Sequence, residues 1–414
     1  MFTIEGMSTT ETRAARGPRH SRRAPGTHRA LRVVLVAALF VVTFTGTGAA
    51  LAYQSLQGGI EQHNIDDILG TDRPTAESTE PSNPDDALGG QAINILVMGT
   101  DSRVGEENAD LGGGANSVEG MRSDTTLLMH ISADRSRVDV VSIPRDLLVT
   151  IPSCPLPDGT STYEQYDAMF NAAFALGGGT GDVGYAAACT IRTVETMTQI
   201  RIDDFVVVDM AGFKDMVDAI GGVDMCFEED MYSEEAKLDI TAGCHTLDGE
   251  TALAVARARK GVGLGDGSDI GRIDRQQELL TNMVEQVLER NIMTDSGELF
   301  QFLRAATSSL TTSDQIGDLT TMAGLAYSLR GIKMDEVNFA TMPFDWAGNR
   351  VRPNYLSEEL WASIRADEPM ALPPDPDATS DSEDGTGTDP GTEDATADTT
   401  GDTAGDAATA GTAG

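Results

Sequence analysis

Arginine and aspartate stand close together at three places in one stretch of the chain. The three pairs are Asp101 with Arg103, Arg122 with Asp124, and Arg145 with Asp146. Guanidinium groups bind phosphate oxygens in a fork geometry, and Mg²⁺ takes carboxylates together with phosphate oxygens. These residue types therefore predict a site for a multiply charged phosphate, with Asp101 and Asp124 as candidate Mg²⁺ ligands.

A second group of polar residues follows further along the chain. Arg257 and Arg259 stand two residues apart in ALAVARARK. At that spacing two side chains diverge on a helix but share one side of an extended segment, so joint action requires the helix to end there. The next segment, GSDIGRIDRQQ, contains Asp269, Arg272, Arg275 and Gln276. Arg272 and Gln276 share a helix face, and the N–H groups of a helix N-terminus favour an anion.

For each of these arginines the ordinary alternative is an ion pair on the protein surface. The whole chain of 414 residues, however, holds 29 Lys+Arg against 66 Asp+Glu, a formal net charge of −37. Seven arginines at the ends of predicted elements in so acidic a chain favour a phosphate pocket. The same negative charge argues against a nucleic-acid partner, whose phosphates the chain would repel.

The elements that must position these residues alternate between strand-like and helix-like patterns. Short apolar runs typical of buried strands cover residues 93–98, 126–131, 138–143 and 205–208. Helical spacing of apolar residues covers residues 183–198 and 210–219 and starts again near 273. This alternation predicts an α/β domain in which helices cover both faces of a central β-sheet. The turns that follow such strands are where open α/β sheets bind their ligands.

The rest of the chain predicts how the domain is attached to a membrane. Residues 33–53 carry no charge and are long enough to cross a bilayer as one helix. Residues 1–32 hold seven arginines, which predicts a cytoplasmic N-terminus and an extracellular remainder. A cleaved signal peptide is the alternative, because small residues end the stretch. Beyond it we expect an extracellular stalk (54–91), one folded domain (92–370) and a disordered acidic tail (371–414).

All four cysteines fall in the part predicted to be extracellular. An even number of cysteines in an oxidising compartment favours disulfides. The simplest pairing joins Cys154 to Cys189 and Cys226 to Cys244, although the sequence permits three connectivities. Buried free thiols are the alternative, and no cysteine or histidine spacing indicates a zinc site.

Seven segments of the chain, taken in order, resemble the extracytoplasmic LytR-CpsA-Psr family. They are NILVMGTDSR, RSDTTLLMHI, VSIPRDLLV, FNAAFALGG, FVVVDMAGFKDMVDAIGGV, LDGETALAVARAR and GSDIGRIDRQQ. The resemblance is close over residues 92–291, looser to about residue 370, and actinobacterial in type. It implies a mixed β-sheet between two layers of helices, in a single-pass membrane protein of the cell envelope.

The resemblance also implies an activity. Members of the family are phosphotransferases that move a glycopolymer, such as teichoic acid, from a polyprenyl-pyrophosphate carrier to peptidoglycan. The implied acceptor is the 6-hydroxyl of N-acetylmuramic acid, joined through a phosphodiester, and the implied cofactor is Mg²⁺. Two alternatives would use the same residues: a polyprenyl-pyrophosphate phosphatase, and a non-catalytic, membrane-anchored regulator that binds lipid or glycan.

The resemblance assigns a role to each of the polar residues named above. Those matching pyrophosphate-binding positions, or falling within the same motifs, are Arg103, Arg122, Arg145, Arg257, Arg259, Arg272, Arg275 and Gln276. Asp101 and Asp124 match the Mg²⁺-associated aspartates. Asp124 or Asp269 would orient or deprotonate the acceptor hydroxyl, with Arg122 and Arg145 as the other catalytic residues. Removing one arginine from such a preorganised site is expected to lower the rate by about 10² to 10³.

Overall fold

The computed structural model describes residues 53–75, 88–102, 121–264, 269–289 and 310–371, together with residues 47, 108, 111, 304, 305 and 307. Within this described part, no helix is both long enough and apolar enough to cross a membrane. Residues 1–32, nearly all of the apolar stretch 33–53, and the tail beyond residue 371 lie outside the described residues. The anchor and the acidic tail therefore stay predictions.

Seven strands form the central sheet, in the order β1-β12-β7-β2-β3-β4-β13. Their bounds are β1 Glu61–His63, β2 Ile93–Thr100, β3 Ser123–Ile131, β4 Val138–Ser142, β7 Asp204–Val208, β12 Leu310–Ser313 and β13 Val337–Thr341. The pairs β1–β12, β2–β7 and β4–β13 are parallel. The pairs β7–β12, β2–β3 and β3–β4 are antiparallel. The sheet is therefore mixed, as the family resemblance implies.

The remaining described strands form pairs outside the central sheet, namely β5–β6, β8–β11, β9–β10 and β14–β15. Their bounds are β5 Leu148–Ile151, β6 Gln165–Met169, β8 Val223–Phe227, β9 Met231–Ser233, β10 Leu238–Ile240, β11 Gly243–Leu247, β14 Phe344–Ala347 and β15 Arg350–Pro353. All four pairs are antiparallel.

One face of the sheet packs against helices in the main hydrophobic core. The helices are α1 Ile65–Leu69, α2 Ala172–Gly177, α3 Val183–Thr198 and α8 Tyr355–Arg365. Leu96 and Met98 of β2 are buried there with Ile191 of α3 and Trp361 of α8. Alternate strand residues point to the same face, which is why Leu96 and Met98 share this core.

The opposite face of the sheet carries two further clusters. Helix α7 (Leu319–Leu329) covers Ile93 and Ile95 through Leu325. Helices α4 (Met210–Ala219), α5 (Gly249–Arg257) and α6 (Asp269–Glu289) form a separate core with the β8–β11 and β9–β10 pairs. Helices therefore lie on both faces of the sheet, as the alternating pattern predicts. The space between the sheet and this second core contains the candidate site.

Residues 54–75 belong to the folded domain and not to the stalk that their position predicts. Strand β1 extends the sheet by pairing with β12. Ile65 and Leu69 of α1 are buried in the main core. Arg73 forms an ion pair with Glu195 of α3 at 2.8 Å, with side chains only 2% and 4% exposed. A three-residue strand and a five-residue helix are too short to show a period in the sequence.

Two disulfides join the cysteines in the simplest of the three possible pairings. Cys154, which follows β5, is bonded to Cys189 of α3. Cys226 of β8 is bonded to Cys244 of β11, its register partner across the strand pair. All four cysteines are therefore paired.

Candidate functional site

Three strand ends meet at one edge of the central sheet. Gly99, near the end of β2, pairs with Thr125 of β3 and with Val208, the last residue of β7. Asp101 follows β2, and its main-chain N–H donates to the carbonyl of Arg122 at 3.0 Å. Its Oδ1 accepts a hydrogen bond from the main-chain N–H of Arg122 at 2.7 Å. The GTDSR and RSDTT segments therefore lie side by side.

An irregularity in β3 determines where Asp124 points. Gly99 pairs with Thr125, but Thr100 pairs with Ser123, so Asp124 is the extra residue of a β-bulge. In a regular strand Asp124 and Thr125 would point to opposite faces of the sheet. Both residues instead line the same cavity. The bulge therefore adds the Asp124 carboxylate to the cavity face.

Three arginines from different elements converge on Asp124, and we call Arg145, Arg259 and Arg272 the arginine cluster. Arg145, in the turn after β4, donates from Nη1 to Oδ1 of Asp124 at 3.0 Å. Arg259, just after α5, donates from Nη2 to Oδ2 at 2.7 Å. Arg272 of α6 donates from Nη2 to the main-chain carbonyl of Asp124 at 2.9 Å. One residue therefore connects three elements that are distant in the sequence.

The arginine cluster controls the charge of Asp124. Burial acts to raise the pKa of Asp124, but the guanidinium groups of Arg259, Arg145 and Arg272 outweigh burial and hold the pKa below its usual range. Asp124 therefore stays ionised at neutral pH. A carboxylate with a lowered pKa is also a weak base, which makes Asp124 poorly suited to remove a proton from a hydroxyl.

The chain straightens between Arg257 and Arg259, as their spacing requires. Helix α5 ends at Arg257, and Ala258 has the extended angles φ −63° and ψ 126°. Both arginines line the cavity. Arg257 also donates from Nη1 to the carbonyl of Leu111 at 2.9 Å. The end of the helix thus brings two arginines of one short segment to the same site.

Arg272 and Gln276 of α6 face the cavity together, as helical spacing predicts. The Gln276 Nε2 donates to the carbonyl of Ala256 at 2.8 Å, and its Oε1 accepts from Thr125 Oγ1 at 3.1 Å. Arg275 is not among the lining residues, and its Nη2 donates to the carbonyl of Ala258 at 2.7 Å. Arg275 therefore supports the segment that carries Arg257 and Arg259.

The other predicted site residues have different outcomes. The Arg122 side chain is exposed and is not among the residues that line the cavity. Arg103 lies outside the described residues. Asp269 is the first residue of α6, but its side chain is outside the described part of the chain. Their roles in binding or catalysis stay predictions.

Beyond the arginines, the walls of the cavity are mainly apolar. The cavity has a volume of about 570 Å³. Its apolar lining includes Val97, Leu127, Met210, Phe213, Leu253 and Met283. These side chains come from β2, β3 and all three helices of the second core. The cavity therefore combines cationic groups with an apolar compartment in one space.

Asn108 and Asp209 position one of these walls, and neither residue was predicted from the sequence. Asp209 Oδ1 accepts from the main-chain N–H of Gly212 at 2.7 Å, and Asn108 Oδ1 accepts from that of Ala211 at 3.0 Å. Asn108 Nδ2 also donates to Asp209 Oδ2 at 2.8 Å. Together they cap α4, which supplies Met210 to the cavity. The aspartate is an ordinary N-cap signal, whereas the asparagine contact depends on folding.

Asp101 and Asp124, the expected Mg²⁺ ligands, both line the cavity. Among the described residues, no group of three or more histidines, cysteines and acids could hold a metal ion. Mg²⁺ commonly uses one or two protein carboxylates and completes its shell with water and phosphate oxygens. Two carboxylates at one cavity are the kind of donor set that such an ion takes with a phosphate ligand, and the Mg²⁺ site stays a prediction.

Comparison with known proteins identifies relatives over most of the described chain. The model described as "LytR_cpsA_psr family" matches residues 55–362. A Corynebacterium glutamicum protein described as "Probable cell wall biosynthesis protein LcpB" is 33% identical over 278 residues, 66% of this chain and 61% of the relative. A Bacillus subtilis protein described as "Polyisoprenyl-teichoic acid--peptidoglycan teichoic acid transferase TagU" is 29% identical over 231 residues, 55% of this chain and 62% of the relative. The chain thus spans less than two thirds of the length of either relative.

A solved structure shares the fold. The crystal structure of a Streptococcus agalactiae protein superimposes with a TM-score of 0.51 at 21% sequence identity, covering 68% of this chain and 89% of that chain. The α/β/α architecture of the central domain is therefore one already seen in experimental structures.

Proposed function

Since the chain belongs to the LytR-CpsA-Psr family, we propose that it is a phosphotransferase of the cell envelope. It takes a glycopolymer from a polyprenyl-pyrophosphate carrier and attaches it to peptidoglycan through a phosphodiester. The observation that carries this proposal is the cavity in which Arg257, Arg259 and Arg272 meet an apolar compartment. In the proposal, residues 33–53 anchor the chain in the membrane and the domain lies outside.

The two kinds of cavity wall match the two parts of such a donor. The arginines supply fork-shaped donors for the pyrophosphate oxygens. Met210, Phe213 and Met283 supply a surface for the prenyl chain, whose burial contributes roughly 25 cal/mol per Å² of apolar area. The name of the Bacillus subtilis relative, a polyisoprenyl-teichoic acid transferase, supports a donor of this class.

The proposed reaction is a displacement at phosphorus. The 6-hydroxyl oxygen of N-acetylmuramic acid forms a bond to the phosphorus next to the sugar. The bond from that phosphorus to the bridging oxygen breaks, and the lipid leaves as its monophosphate. The arginines stabilise the negative charge on the phosphate oxygens as it is redistributed. A Mg²⁺ ion held by Asp101 and Asp124 would add positive charge beside the same oxygens.

The proton of the acceptor hydroxyl needs a base or solvent to receive it. The lowered pKa of Asp124 makes it a poor base, and its bonds to Arg145 and Arg259 give it a role in orienting the arginine cluster. Asp269 at the N-terminus of α6 remains the candidate base of the proposal.

The experiment that tests the proposal follows labelled glycan from a lipid-linked donor to insoluble peptidoglycan. Arg259→Ala removes one arginine of the site, and we expect transfer to fall by about 10² to 10³. Arg352→Ala is the matched control, because Arg352 forms an exposed ion pair with Asp167 and does not line the cavity. Full transfer by Arg259→Ala would contradict the proposed site.

The same assay separates the alternatives. A phosphatase would release the labelled glycan in soluble form whether or not peptidoglycan is present. A non-catalytic regulator would bind the donor without any turnover. A transferase makes the label insoluble only when the acceptor is added.

A further inference from the structure

Asp124 is bonded through both of its carboxylate oxygens to arginines, of which Arg259 lines the proposed donor site and Arg145 does not. Oδ1 accepts from Arg145 at 3.0 Å, and Oδ2 accepts from Arg259 at 2.7 Å. We propose that Asp124 is a positioning residue that holds the arginine cluster in place before the donor binds, and that the donor's pyrophosphate displaces it. The inference rests on the proposed function, because it concerns the same pyrophosphate.

The charges explain why such a residue is needed. Three guanidinium groups repel one another when they converge on one point at the partly buried edge of a sheet. Arg272 is only 2% exposed, so solvent screens it little. The Asp124 carboxylate lies between Arg145 and Arg259 with one oxygen on each, an arrangement that offsets this repulsion.

The geometry explains why pyrophosphate competes with Asp124. A phosphate group offers anionic oxygens that accept the same guanidinium N–H groups as a carboxylate does. The Arg259 N–H group that now bonds Asp124 faces the cavity, so a bound pyrophosphate would compete with Asp124 for it. Displacing Asp124 costs two charge-assisted hydrogen bonds, so the wild-type protein binds pyrophosphate more weakly than the arginines alone would.

The main chain of Asp124 stays in place when pyrophosphate displaces its carboxylate from the arginines. The bulge in β3 turns the side chain into the cavity, and Arg272 bonds the main-chain carbonyl at 2.9 Å. The carboxylate can therefore leave Arg145 and Arg259 without moving the strand. It stays close to the bound phosphates after the exchange.

Calorimetric titration with inorganic pyrophosphate in the presence of a chelator tests the proposal on the full chain. Asp124→Asn keeps the size of the side chain but removes its charge, so pyrophosphate no longer competes with an anion. We expect Asp124→Asn to bind pyrophosphate about tenfold more tightly than wild type, since a neutral amide competes for the guanidinium N–H groups more weakly than a carboxylate does. Asp124→Ser is a second variant with the same expected direction, should the asparagine variant not fold.

Asp101→Asn is the matched control. It removes the same charge from the same cavity, but Asp101 Oδ1 accepts from the main-chain N–H of Arg122. We expect its affinity for pyrophosphate to change much less. An equal gain in affinity for pyrophosphate in Asp124→Asn and Asp101→Asn would overturn the proposal. The gain would then come from the loss of a negative charge in the cavity and not from the bonds of Asp124 to the arginines.

Weaker or unchanged binding by both Asp124 variants would also overturn the proposal, and a residue that only holds the arginines in place would give that result. Since the titration contains no acceptor and measures no transfer, this outcome leaves the proposed function intact. If neither wild type nor any variant bound pyrophosphate, both the donor site and the present inference would fail together.

Discussion

At the scale of single residues, burial acts to raise the pKa of both Asp124 and Asp203. The pKa of Asp124 is nevertheless lowered, whereas that of Asp203 is raised. Around Asp124 the arginine cluster outweighs burial and the pKa is lowered. Around Asp203, burial raises the pKa to about 6, and the neighbouring Asp204 carboxylate adds to the rise. The difference lies in the number of cations close to each carboxylate.

The raised pKa of Asp203 makes the stability of the fold depend on pH. The folded state holds this proton up to about pH 6, whereas the unfolded chain loses it near 3.8. Stability therefore falls as the pH rises between these values and stays lower above them. Asp203→Asn keeps an acceptor for the main-chain N–H of Asn94 and carries no charge. We expect it to raise the free energy of unfolding by about 1 to 3 kcal/mol at neutral pH, and by little near pH 4.

Urea denaturation of wild type and Asp203→Asn at the two pH values measures this effect. A gain of equal size at both would contradict the pKa argument, because it would then come from packing and not from charge.

Part of the site is predicted from the sequence, because the spacing of two residues within one helix or strand determines whether their side chains point the same way. The positions of Arg257 and Arg259 follow from the end of a helix, and those of Arg272 and Gln276 from its period. The bulge at Asp124 leaves no signal, because it is defined only by the partner strand. Arg275 was expected to contact pyrophosphate, but its side chain bonds the Ala258 carbonyl, which no local pattern indicates.

At the scale of elements, the packing of α2 against α3 depends on a glycine. A Cβ on Gly177 would collide with the main-chain carbonyl of Tyr185 and lie 2.7 Å from Cβ of Cys189. Gly177 has ordinary helical angles, φ −67° and ψ −38°, so the constraint is space and not backbone conformation.

Gly177→Ala is therefore expected to destabilise the domain by about 1 to 3 kcal/mol, since the backbone of α3 must shift to admit the methyl group. Gly179→Ala is the matched control, because a Cβ there meets no atom within 4 Å. Thermal unfolding of both variants gives the comparison. A similar melting temperature for the two variants would show that α3 moves to admit the methyl group at little cost.

The elements with a clear apolar period were predicted from the sequence, whereas helices α7 and α8 were not. Helices α3 and α4 have the predicted bounds, 183–198 and 210–219, and each follows an aspartate whose side chain caps the helix. Strands β2 and β3 extend beyond the predicted runs by polar residues such as Thr100 and Ser123 at the site edge. The strand pairs outside the sheet and the elements of residues 54–75 rest on tertiary contacts and were not predicted.

At the scale of the whole molecule, the ion pair between Arg73 and Glu195 joins residues 54–75 to the main core. Arg73→Ala leaves Glu195 buried without its counter-ion, and breaking such a pair costs about 3 to 5 kcal/mol. We expect the double variant Arg73→Met/Glu195→Leu to lose much less, because it leaves no buried charge.

Urea denaturation of the two variants beside Arg352→Ala measures the difference. Arg352 and Asp167 are 49% and 70% exposed, so losing their ion pair should cost less than about 1 kcal/mol. Equal losses in Arg73→Ala and Arg352→Ala would show that residues 54–75 are not held through this pair.

The bulge in β3 has a consequence for how the protein could evolve. Deleting the single codon for Asp124 would let Ser123 and Thr125 join a regular ladder with β2, so the sheet would lose its irregularity and keep its core. The same deletion would remove the anion on which the arginine cluster converges. One mutational step would therefore remove the carboxylate of the proposed phosphate site and leave the core of the sheet in place.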